Sequence, residues 1–302
     1  RRDDEEVVVG PLVGRVVALS HRADGDESDR AAVRAEALRQ LVCERAILAG
    51  VHDASLEGLL ESDEPAVRSL ATHDLLGEAA LDEDEIRGGR VVRALLEAPL
   101  DVHPYKKWQG AHWRLVSLVE LGVAPDERML AGVEQVLGWL TGSGHRRGIQ
   151  TIDGLVRRCG SQEGNALAVC SRLGLAGDAR VRLLAESLVE WQWPDGGWNC
   201  DKRASGRRSS FNESLAPMWG LHEYAEATGD TAARDAARRT AELFLEHRLF
   251  RALSTGDLIH PGWTVPHYPP FWHYDAPQAL HVLARMGLAR DPRAGDAVDV
   301  LV

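Results

Sequence analysis

Four aspartates, Asp126, Asp178, Asp230 and Asp291, recur at intervals of 52, 52 and 61 residues, each with an arginine close behind it (Arg128, Arg180, Arg234 and Arg293). The segments around them, 108–140, 162–191, 211–245 and 272–293, share one layout. Polar or aromatic residues come first, then an Ala/Leu-rich stretch, the Asp with its Arg, and a second apolar stretch. A period in the fifties accommodates two helices and two connections, a unit that buries its apolar face only by stacking on its neighbours. Leu121-Gly122, Leu173-Gly174 and Met286-Gly287 each end a helix, because glycine accepts the left-handed conformation just past a helix end. The Asp that follows then caps the next helix. Apolar residues within 166–173 and 179–188 recur at three and four, which is helical rather than strand spacing. The expected fold is all-α, built from antiparallel helix pairs.

Before residue 100 the pattern loosens but stays helical. Residues 29–50 read as one long helix, 85–96 as another ended by Pro99, and 63–68 open a third with Pro65 just inside its start, which resembles a HEAT-type unit. The expected organisation is therefore an acidic, partly irregular segment over 1–30, a HEAT-like helical part over 31–100, and the repeats over 101–302, the last two forming one continuous domain. About five or six helix pairs can stack as an open solenoid or close into a ring. The chain starts without Met and stops inside an apolar run, which reads as a piece of a longer protein.

Charge narrows the partners. Thirty-five Lys+Arg against 46 Asp+Glu leave a net charge of −11, which argues against nucleic acid or an anionic membrane surface. The acid is concentrated in 3–6, 24–29 and 82–85 and reads as solvated surface, with 82–85 capping a helix. No apolar run approaches the roughly 20 residues that span a bilayer. The most apolar early stretch, 7–19, holds Gly10, Pro11, Gly14 and Arg15 behind an acidic run, unlike a signal peptide. Cys43, Cys159, Cys170 and Cys200 form no CxxC pair and read as free thiols of a cytoplasmic protein.

The string Leu188-Val189-Glu190-Trp191-Gln192-Trp193-Pro194-Asp195-Gly196-Gly197-Trp198 resembles the QW motif of the triterpene cyclases. A Gln at a helix end can bond exposed carbonyls and staple one helix pair to the next, so Trp191, Gln192 and Trp198 are read as structural. Residues 196–202, a Ser/Arg loop and Phe211-Asn212-Glu213-Ser214 are similar to the layout of protein prenyltransferase β subunits and squalene–hopene cyclases. The resemblance covers roughly residues 100–302. It implies an (α/α) toroid and a bacterial-type biosynthetic enzyme of the terpenoid cyclase/prenyltransferase-like class.

In such a toroid the first residues of the inner helices line a central cavity. The repeats put Trp108 and His112, Glu163 and Asn165, Phe211, Asn212 and Glu213, and Trp272, His273, Tyr274 and Asp275 there. Loops add Asp201, His260, Trp263, His267 and Tyr268. Residues 261–275 hold two Trp, two Tyr, one Phe, two His and four Pro, too dense in aromatic groups for a mere linker. An aromatic cavity with few titratable groups suits a largely apolar, isoprenoid-type substrate. Asp275, His273, Tyr274 and Glu213 are the candidate acid/base groups, with aromatic faces to stabilise a developing cation.

The resemblance is incomplete at the chemistry. Class II cyclases protonate with the middle Asp of a DxDD motif, and here Trp272-His273-Tyr274-Asp275 keeps only the last Asp. The prenyltransferase zinc site takes Asp-x-Cys and a later His. His273 falls about where that His belongs, but Ser210 and Asn212 are poor zinc ligands, so neither metal nor other cofactor is expected. Arg157, Arg158, Lys202, Arg203, Arg207 and Arg208 could hold a diphosphate or simply balance nearby acid. Two other readings stay open. One is a carbohydrate-active (α/α) barrel lyase or hydrolase, with Glu163 and Glu213 or Asp275 as a carboxylate pair. The other is a non-catalytic helical-repeat binding protein.

Overall fold

A computed structural model describes residues 52–269 and 271–301. The segment 1–30, the helix expected over 29–50, the apolar stretch 7–19 and Cys43 lie outside the described residues. The described chain is mostly helical. Four helices lead in: α1 (His52–Leu60), α2 (Pro65–Leu76), α3 (Glu83–Gly88) and α4 (Arg90–Glu97). Asp82 caps α3 by accepting from the amide of Asp84, as the acidic cluster suggested.

Helix pairs follow. The first is α5 (Ala111–Glu120) with α6 (Glu127–Thr141). A short α7 (Ser143–Arg146) and a hairpin, β1 (Gln150–Ile152) antiparallel to β2 (Leu155–Arg157), lead to α8 (Gly160–Arg172) with α9 (Ala179–Trp191). Then come α10 (Phe211–Thr228) with α11 (Thr231–Glu246), and α12 (Ala276–Arg285) with α13 (Gly295–Asp299).

The four aspartate anchors cap as their spacing requires. Asp126, Asp178 and Asp230 accept from the amides of Met129, Arg180 and Ala233 at the starts of α6, α9 and α11. Asp291 caps a 3-10 turn, Pro292–Ala294, that precedes α13. Two of the following arginines also bridge repeats. Arg180 forks onto Glu134 of α6 at 2.7 and 2.8 Å, and Arg293 pairs with Glu242 of α11.

Burial separates two rows. All ten residues of α5 and nine of the ten in α12 are buried, whereas α6 buries six of 15 and α9 six of 13. The inner helices pack in sequence, α5 on α8, α8 on α10 and α10 on α12, and α6, α9 and α11 form the outer row. The tightest crossing is α8 on α10. A Cβ on Gly164 would stand 2.3 Å from the Pro217 nitrogen, and one on Gly220 would stand 2.3 Å from the Gly164 carbonyl oxygen. Only glycines allow the backbones so close.

Gln192 ends α9 and crosses to the next pair. Its amide donates to Gly196 O (2.8 Å), Ala236 O (2.9 Å) and Thr240 Oγ1 (3.1 Å), while its oxygen accepts from Arg239. The staple thus grips the Ala236 carbonyl and Thr240 hydroxyl of α11 and the Gly196 carbonyl of the intervening turn, not the carbonyls of its own helix end. Trp198, fully buried, donates to Leu188 O at 3.1 Å. No helix among the described residues is long and apolar enough to cross a membrane.

Candidate functional site

The inner helices begin at one end of the molecule, because the contacts between them there join first turn to first turn. Ser161 of α8 bonds Glu213 of α10, and Asn212 of α10 accepts from the Tyr274 amide just before α12. Just ahead of α5, Trp108 stacks on Phe271 with ring centroids 3.9 Å apart. Between the four helices lies a cleft enclosing about 410 Å³ up to its open mouth. Only about 30 Å³ of it is clear of the walls, room for one or two waters.

Polar groups reach this cleft from every inner helix: Glu120 from α5, Asn165 from α8, Asn212 from α10, Gln278 and His281 from α12, with His273 from the preceding loop. Leu215, Ala216, Trp219 and Val282 supply apolar wall, and Phe271 and Trp272 add aromatic wall. Asn165 donates to Phe271 O at 2.9 Å, which ties that loop to α8. Trp108 and Phe271 both have left-handed backbones (φ 62° and 42°), a conformation that costs a non-glycine residue about 1–3 kcal/mol.

His273 stacks between Trp272 (4.3 Å) and His267 (5.8 Å). Burial, then the charges of His267 and Lys107, holds its pKa below the ordinary imidazole range, so it is neutral at pH 7. Asp275 is completely buried and fully engaged. Its oxygens accept from the Gln278 amide (2.7 Å), the His267 amide (2.9 Å), His267 Nδ1 (3.3 Å) and the Gln278 side chain. The carboxylate caps α12 and ties the 267–275 loop to it. The buried Tyr274 hydroxyl donates to Leu249 O, away from the cleft. Burial raises its pKa well above the tyrosine range, so it stays protonated.

Other expected residues fall into separate groups. Phe211 and Trp263 stack at 4.8 Å and pack with Phe244 and Tyr274 as a hydrophobic cluster beneath the 261–275 loop. His260 is exposed and caps the turn Pro261–Thr264 by accepting from Gly262 N. Tyr268 sits half-buried in the same loop. Asp201 forks onto Arg203, which holds its carboxyl down at about 2. His112 is buried within a ring of Tyr105, Trp113 and Trp139, at centroid distances of 5.3, 4.8 and 5.9 Å. Among the described residues neither of its ring nitrogens has a hydrogen-bond partner, and desolvation lowers its pKa to about 3.

Two buried carboxylates flank the start of α8. Glu163 Oε1 takes Arg158 Nε (2.9 Å) and Nη2 (2.6 Å) and stands 3.1 Å from His145 Nε2, while Oε2 has no hydrogen-bond partner among the described residues. Desolvation outweighs the Arg158 charge and raises its pKa to about 7. Glu213 Oε2 accepts from the Ser161 amide (3.2 Å) and hydroxyl (2.8 Å), and its Oε1 lies 3.6 Å from Cys200 Sγ. The Cys159 and Cys200 sulfurs and a Glu213 oxygen lie within 4.8 Å of one another. The hydrogen bond between the thiols raises the pKa of Cys159 and lowers that of Cys200.

The structure thus brings Asn165, Asn212, Trp272 and His273 to one cleft, with Trp108 stacked on Phe271 of its wall. The cleft residues absent from the sequence reading are Phe271, Glu120 at the last turn of α5, and those one or two turns further along α10 and α12: Leu215, Ala216 and Trp219 after Asn212, and Gln278, His281 and Val282 after Tyr274 and Asp275. A spacing of three, four and seven from the named helix starts would have found those of α10 and α12. No protein-family model, no curated protein and no solved structure matches this chain.

Proposed function

We propose that the helix pairs belong to an α/α toroid, and that the chain is an enzyme of the terpenoid cyclase/prenyltransferase-like class acting on an apolar, isoprenoid-type substrate in the cleft between α5, α8, α10 and α12. The observation that supports this best is the make-up of that cleft: polar groups from four repeats converge on a wall of Leu215, Ala216, Trp219 and Val282, with Phe271 and Trp272 beside them. An apolar pocket with a few convergent polar groups is the usual form of a small-molecule site.

In this reading His273, neutral at pH 7, is the base that accepts a proton from a carbocation or an activated nucleophile. Asp275 positions rather than reacts, since its oxygens are committed to Gln278 and to His267, the ring stacked on His273. Trp219, Trp272 and Phe271 present π faces to developing positive charge. The space already clear is too small for an isoprenoid chain, so substrate entry displaces Phe271 and Trp272 and relieves the left-handed backbones of Trp108 and Phe271.

The test is product analysis after incubating the protein with isoprenoid diphosphates and with a long-chain polyprene. Conversion is expected, and His273→Ala should lower it about 100-fold or more while leaving the melting temperature nearly unchanged. Equal turnover by wild type and His273→Ala would remove His273 from the mechanism. Absence of any conversion or binding across both substrate classes would defeat the isoprenoid assignment.

A further inference from the structure

We infer that Cys159, Cys200 and Glu213 form a binding site for one divalent cation of the zinc class, with the fourth coordination position open to water or a substrate atom. The inference is independent of the isoprenoid reading.

Three elements deliver the ligands: Cys159 is the residue before α8, Cys200 lies in the loop after Trp198, and Glu213 is in the first turn of α10. Each is held by its own local structure. The 199–200 loop is pinned where Arg158 N donates to Asn199 O (3.1 Å) and Asn199 Nδ2 to Arg208 O (2.9 Å). The Trp198 amide is fixed on Ser214 Oγ at 3.0 Å, one residue from Glu213. Glu213 is oriented by Ser161, which takes Oε2 through both its amide and its hydroxyl and leaves Oε1 turned to Cys200. Outer hydrogen bonds that aim a ligating carboxylate in this way are characteristic of metal sites.

The spacing fits. Tetrahedral zinc with sulfur at about 2.3 Å and oxygen at about 2.0 Å separates sulfur from oxygen by about 3.5 Å and sulfur from sulfur by about 3.8 Å. The Cys200 Sγ to Glu213 Oε1 distance is 3.6 Å, and all three ligand atoms lie within 4.8 Å of one another. Two sulfurs and a carboxylate oxygen are also the donor set that selects zinc over magnesium or calcium. Among the described residues no fourth His, Cys, Asp or Glu joins the group, and three protein ligands with one open position is the arrangement of a catalytic rather than a purely structural zinc.

Both cysteines are half-buried, so an ion and a small ligand can reach them. Binding would release the two thiol protons to solvent as the thiolates form, and no redox change is involved.

The full chain, reduced and stripped of metal, is titrated with Zn²⁺ and separately with Co²⁺. One equivalent should bind, and the cobalt form should show the intense near-ultraviolet thiolate-to-metal band and the strong visible bands of a tetrahedral site. Cys159→Ser and Cys200→Ser should each weaken binding at least about 100-fold and Ser161→Ala about tenfold, while Cys170→Ala leaves it unchanged. If a cysteine variant fails to fold, alkylation of folded wild type supplies the readout: Zn²⁺ should slow modification of Cys159 and Cys200 and leave the rates at Cys43 and Cys170 unchanged. The inference is overturned if the folded, fully reduced wild type binds no cation, or if Cys159→Ser and Cys200→Ser bind as wild type does.

Discussion

Glu163 carries Arg158 on one oxygen and, among the described residues, no partner on the other, inside a setting that excludes water. Its pKa near 7 lies above the value of an exposed carboxyl, so the unfolded chain ionises first as pH rises. Its contribution to stability is therefore fully present below the unfolded pKa of about 4.5 and is lost as pH climbs through about 7, on the order of 2–4 kcal/mol. His112 and His145 act in the opposite direction. Desolvation lowers them to about 3 and about 4, so their contribution is present above about pH 6.5 and fades as pH falls toward those values. Glu163→Gln should flatten the alkaline side of a plot of unfolding free energy against pH between 5 and 8. An unchanged slope would show that Arg158 keeps the carboxylate ionised. His112 holds two unpartnered nitrogens among aromatic rings, and His112→Phe should raise stability by about 1 kcal/mol in denaturant titration. A loss instead would mean that those nitrogens do have partners in solution.

At the scale of elements, what the sequence made legible was whatever repeats. The Asp anchors cap because a side chain must meet the open amides of each second helix, and that need recurs with the period. The α8–α10 crossing was not legible, since Gly164, Pro217 and Gly220 carry no signal of partnership until the helices are laid together. Gly220→Ala forces a Cβ against the Gly164 carbonyl and should destabilise by about 1–3 kcal/mol or more, read as a fall in melting temperature. Tolerance of that change would show that the helices can move apart. Gln192→Ala removes the donor shared by Gly196, Ala236 and Thr240 and should cost about 1–3 kcal/mol in the same assay, with little effect at the cleft.

Across the whole molecule, the residues that the sequence groups at the first turns of the inner helices fall into separate settings in the structure. Trp263, Phe211 and Tyr274 were grouped with the cavity because aromatic density is visible in a sequence and its orientation is not. They instead form a hydrophobic cluster that supports the loop carrying Phe271 to His273. Asp275 reads as an acid by its position in the fourth repeat, yet the same position makes it the cap of α12, and four hydrogen bonds fill its oxygens. The pairing of Cys159 with Cys200 was hidden by 40 intervening residues that fold away as two helices, α8 and α9, and their connections.

The central claim is that the cleft shared by four repeats holds an apolar ligand, and native mass spectrometry of the protein purified from its own cells tests it most directly. Wild type should carry a bound species of one defined mass with the composition of an isoprenoid or similar lipid, absent from Leu215→Trp, which fills the cleft wall. Wild type without such a species, or Leu215→Trp with the same one, would contradict the account.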